Sequence, residues 1–132
     1  MQDLLRAAAA GDPSACLMLA KRLLRGRGCS RNYEQAVQWF DAAARAGSAD
    51  ALYQLGKCYL KGIGCTRDPA GAVSCLERAA RAGHAAAALR LGTCFAEGTG
   101  APRCRELAAY WFRIAAARGE SRAAECLLRL RD

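Results

Sequence analysis

The chain has 132 residues, a formal net charge of +8, 53% apolar residues against 7% aromatic, 8 cysteines and a single histidine. That length supports one domain with a core of its own, without disulfides or metal to hold it. Much of the apolar fraction is alanine, and Arg, Lys, Asp or Gly interrupts every apolar stretch, which points to helices and excludes a membrane-spanning helix of about 18 or more apolar residues.

At the N-terminus, MQDLLRAAAAGDP carries Asp3 and is broken by Gly11, Asp12 and Pro13, so it lacks the basic-then-apolar order of a secretion signal. We therefore expect a cytoplasmic or other reducing compartment. From there the chain repeats itself. Gly11, Gly47, Gly83 and Gly119 stand 36 residues apart. The pair Gly26 and Gly28 recurs as Gly62 and Gly64, then as Gly98 and Gly100. Leu19, Leu55, Leu91 and Leu127 hold the same register, as do Phe40, Leu76 and Phe112.

Within one unit, Ala51, Leu52, Leu55, Tyr59 and Leu60 recur at three- and four-residue steps and predict a first helix with one apolar stripe. It ends at Gly62 and Gly64, with Lys57 and Lys61 in the last turns beside the negative end of the dipole. Ala72, Val73, Leu76, Ala79 and Ala80 mark a second helix, which Asp68 caps and Pro69 opens. No single hairpin buries both of its apolar faces, so stacked copies must bury one another. The fold class is all-α, an α/α superhelical solenoid of about three and a half helix-turn-helix repeats. Residues 1–11 form an N-terminal half-repeat helix, 12–46, 47–82 and 83–118 full repeats, and 119–132 a C-terminal capping helix.

The stretches LGKCYLKGIGCTRD and AVSCLERAARAGHAAA resemble the Sel1-like repeat family, relatives of the tetratricopeptide repeats, and the pattern is matched at most anchor positions over residues 11–118. The resemblance implies a solenoid that binds proteins and has no catalytic residues. It also implies that Cys29 and Cys65 stand where valine is usual. In cysteine-rich secreted members a disulfide bridges successive helices across the inter-unit glycine, and no cysteine pair here flanks Gly47 or Gly83 in that way.

The cysteine intervals contain no close ligand pair, and His84 stands alone, so neither a metal site nor a cofactor is expected. Cys104 takes the place where Asn32 and Asp68 begin second helices. A helix start between Arg103 and Arg105 favours thiolate, which makes Cys104 the candidate reactive thiol.

By analogy with tetratricopeptide-like solenoids, the first helices line the concave face. Leu17, Tyr53 and Leu89 share one inner position there; Lys21 and Lys57 share a second, and Arg25 and Lys61 a third. These residues form a basic, partly apolar groove suited to an acidic protein or peptide segment. The function expected is that of a non-enzymatic adaptor or scaffold, monomeric or part of a larger assembly. The rival class is a basic helical-repeat protein that tracks nucleic acid, although no nucleic-acid motif accompanies the charge. A redox-regulated adaptor acting through Cys104 is the further alternative. No nucleophile stands with its base to suggest an enzyme.

Overall fold

The structure, a computed structural model, describes residues 2–26 and 32–131. The expectations for Gly28 and Cys29 concern residues outside that description. Eight helices make up the regular structure of the described residues: α1 (Gln2–Ala9), α2 (Pro13–Arg25), α3 (Tyr33–Arg45), α4 (Ala49–Lys61), α5 (Pro69–Arg81), α6 (Ala85–Glu97), α7 (Arg105–Ala117) and α8 (Arg122–Arg131). No strand occurs among them.

Helices α2 to α6 start at a side-chain cap, and α2, α4 and α6 stop at a glycine. Asp12, Asn32, Ser48, Asp68 and His84 each accept a backbone N–H of the first turn they precede, which satisfies one orphan donor. Gly26, Gly62 and Gly98 end α2, α4 and α6 in the left-handed conformation, at φ of 74°, 71° and 75°. The turn that follows is closed by one bond that recurs in every unit. Asn32, Asp68 and Cys104 donate their N–H to the carbonyls of Leu23, Tyr59 and Phe95, at 2.8, 2.8 and 2.9 Å.

Packing follows the chain. The pairs α2 with α3, α4 with α5 and α6 with α7 are hairpins, and each second helix then packs on the first helix of the next unit. Two columns run through the core: Leu19, Leu55 and Leu91, and Phe40, Leu76 and Phe112, none more than 3% exposed. Small residues set the separation. A Cβ placed on Gly92 would lie 2.7 Å from the Phe112 ring, and one on Gly56 would lie 3.0 Å from Leu76 Cγ.

The second glycine of each turn seats one unit on the last. Gly64, at φ 71°, lies so close to the start of α3 that a Cβ would run into the Tyr33 carbonyl, and Gly100 meets the Pro69 carbonyl in the same way. Gly100→Ala combines that clash with a left-handed backbone and should cost about 2 kcal/mol or more. Gly119→Ala, at φ 100° with open space around it, should cost only about 1 kcal/mol. Urea unfolding of both variants checks the ordering, and equal losses would contradict the close approach at Gly100.

Candidate functional site

The residues expected in the groove do not act as one uniform basic strip. Lys21 in α2 donates to Asp50 Oδ2 of α4 at 2.9 Å, so its charge already has a partner. Asp50 also faces His84, with Nε2 3.5 Å from Oδ1. His84 Nδ1 accepts the Ala87 N–H at 3.1 Å as the cap of α6, which leaves the ring proton on Nε2, toward Asp50. Burial by itself raises the Asp50 carboxyl, but the hydrogen bond and charge of Lys21, with those of His84, outweigh it and hold the group below the ordinary carboxylate value.

Tyr53 sits in the middle of this chain of contacts. Its ring stacks on His84 with centroids 4.5 Å apart, Lys57 Nζ lies 5.0 Å from the ring centroid, and Arg90 Nε donates to its hydroxyl at 3.3 Å. Successive first helices are thus joined by polar contacts from α2 to α4 and from α4 to α6.

Lys57 and Lys61, one turn apart on α4, line a cleft of about 320 Å³ whose apolar wall is Leu24, Tyr33, Cys58 and Ile63. Leu17 belongs to a separate cleft beside the α3–α4 turn, with Pro13 and Ser48. Leu89 is half-buried against the core, and Arg25 is exposed. The periodicity alone therefore missed Asp50, His84 and Arg90 as members of this face, and Leu24, Tyr33 and Ile63 as the cleft wall. One signal was legible: Tyr53 and Arg90 stand one repeat and one residue apart, which puts them on neighbouring first helices.

The cysteines divide by depth. Cys16, Cys58, Cys75 and Cys94 are buried, whereas Cys65, Cys104 and Cys126 are partly exposed; all seven are free. Burial, reinforced by Cys65, pushes the Cys58 thiol up to about 11, against a weaker opposite pull from Lys57 and Lys61. Cys104 precedes α7 with no side-chain cap, and its thiol donates to Glu106 Oε2 at 3.5 Å. Its hydrogen-bond partner is thus an acid, where the sequence draws attention to the flanking arginines.

A thiol reagent at neutral pH should modify Cys104 and Cys126 well before Cys58 and Cys94, which should react only as the chain unfolds. Peptide mapping checks this, and equal rates at all four in the native protein would contradict the packing. The second expectation concerns acid. Because the folded-state value of Asp50 is depressed, its contribution is fully present above the unfolded carboxylate value, about pH 4, and is lost as pH falls through the folded value. With both partners more than a third exposed, the pair contributes about 1 kcal/mol or less. Asp50→Asn should lower stability at pH 7 by that amount and converge with the parent near pH 2 in denaturant titrations.

Residues 13–48, 49–84 and 85–120 each match the family model described as the Sel1 repeat. Among solved structures, a Sel1 repeat protein from Oxalobacter formigenes is 37% identical, the match covering 97% of this chain and 96% of that one with a TM-score of 0.87. The c5321 protective antigen of uropathogenic Escherichia coli, which displays an SLR fold, is 34% identical over 88% of this chain with a TM-score of 0.86, and the match covers 25% of the antigen. Cysteine rich protein B (hcpB) of Helicobacter pylori shares the fold at 22% identity and a TM-score of 0.74, over 96% of this chain and 90% of its own. No curated protein sequence matches significantly. With three consecutive 36-residue matches and the same stacked hairpins in its relatives, the chain belongs to the Sel1 repeat family.

Proposed function

We propose that the protein is a non-enzymatic adaptor that captures an acidic segment of another protein on the face built by α2, α4 and α6. Sel1 repeat proteins are generally protein-interaction scaffolds. The observation that carries the finer reading is the cleft of Lys57 and Lys61. Neither lysine has a carboxylate partner among the described residues, and both stand over an apolar wall. Carboxylates of the partner pair with the two ammonium groups while an adjacent apolar side chain enters between Leu24 and Ile63.

Lys21 plays a different part in this reading. Its charge is answered by Asp50, so it ties α2 to α4 and shapes the wall instead of holding the ligand. Tyr53, braced by His84 and Arg90, keeps Lys57 at the cleft edge, and Arg25, Leu17 and Leu89 extend the surface along the partner. The net charge of +8 raises the rate of encounter with an acidic partner.

The test is charge reversal at the cleft. Lys57→Glu combined with Lys61→Glu should recover little of the interacting protein from a lysate of the source cells, while Arg113→Glu, on the exposed side of α7, should match the parent. Undiminished recovery by the folded double variant sinks the reading.

A further inference from the structure

Moving two repeats along the register from the Lys57 cleft leads to a second one, at the junction of α6, α7 and α8. Tyr33, Gln54, Lys57 and Cys58 become Arg105, Cys126, Arg129 and Leu130, and these four line a cavity of about 310 Å³. The junction between the two clefts does not carry the same chemistry. The positions of Lys57 and Lys61 carry Thr93 and Glu97 there, which also line the second cleft, and Arg90 is held by the Tyr53 hydroxyl.

Charge in the second cleft is unbalanced. Arg103, Arg105 and Arg129 line it against the single carboxylate of Glu97. Among the described residues none of the three arginines makes an ion pair or a hydrogen bond. The contrast with the preceding unit is direct: Arg67, the register mate of Arg103, donates from Nε to the Leu60 carbonyl at 3.1 Å. Gathering three cations without partners works against folding through their mutual repulsion, and an anion bound among them removes that repulsion. The planar forks of guanidinium groups match a carboxylate two bonds at a time. Buried Phe112 and half-buried Leu130 and Ala96 supply an apolar surface beside them, as Leu24 and Ile63 do in the first cleft.

We infer that the Arg103, Arg105 and Arg129 cleft is a second carboxylate-binding site, and that the two clefts grip one acidic segment at two points. The two-point grip rests on the Lys57 and Lys61 reading; the second site stands on the arginines alone. The clefts are two first-helix steps apart, and with each step at least one packed-helix distance of ~8 to 10 Å the gap is ~16 to 20 Å or more. An extended peptide covers the gap with about six residues.

Isothermal titration calorimetry with a capped Glu-Glu-Leu-Leu tetrapeptide separates the two claims. The parent should bind two copies, and the Lys57→Glu, Lys61→Glu variant and the Arg103→Glu, Arg105→Glu, Arg129→Glu variant one copy each. Circular dichroism verifies the fold of both; all three arginines are exposed, so their exchange leaves the core intact. One copy on the parent, lost only in the lysine variant, overturns the second site and leaves the first reading standing. One copy lost only in the arginine variant does the reverse, and no binding overturns both. A peptide carrying two such clusters six residues apart should bind the parent about tenfold or more tightly than the tetrapeptide. Equal affinities overturn the two-point grip.

Discussion

Stacking in this solenoid depends on backbone approaching backbone with no side chain between. At Gly64 and Gly100 the turn of one unit rests on the first carbonyl of the preceding second helix, at a separation that excludes a Cβ. The same glycines hold φ of 71° and 75°, where L-residues with side chains are disfavoured. One residue type thus meets two requirements, and the spacing of the units follows from it. The buried alanines extend the principle, since Ala43, Ala51, Ala79, Ala87 and Ala115 are fully buried and let the helices close around the leucine and aromatic columns.

Close stacking puts successive first helices side by side, and that adjacency generates the face on which recognition is proposed. Lys21 reaches Asp50 and Tyr53 reaches His84 and Arg90 because each pair belongs to neighbouring first helices or their caps. In a chain whose units touch only their neighbours, stability is a sum of unit and junction terms. Polar links across the open face add small terms to each junction; their larger effect is to fix which side chains stay available. Lys21 is occupied while Lys57 and Lys61 have no carboxylate partner among the described residues, although all three are lysines in the C-terminal half of first helices.

His84 shows how one side chain serves several levels at once. As the cap of α6 it satisfies a backbone donor, as a flat ring it carries Tyr53, and through Nε2 it faces the acid that holds Lys21. Ser48 performs only the first of these roles at the matching position one unit earlier. The middle junction is correspondingly the most cross-linked part of the face. The repeated cavities lie on either side of it, in units where the corresponding positions carry Lys57 and Arg129.

The periodic pattern by itself determined the helices, their hairpin pairing, the caps at Asn32 and Asp68 and the absence of one at Cys104, because each depends on residues within a turn or two of one another or on a strict 36-residue recurrence. It also places Gly56 and Gly92 in one register, where the missing Cβ lets Leu76 and Phe112 enter. What the tertiary structure decided is which charges are spent. Whether a lysine on a helix face meets an acid depends on side chains from another unit, 29 residues away for Lys21 and Asp50, at an offset that a repeat read in register does not examine. The recurrence of the basic clefts two units apart was likewise hidden, because each is walled by three segments that become neighbours only when the hairpins stack.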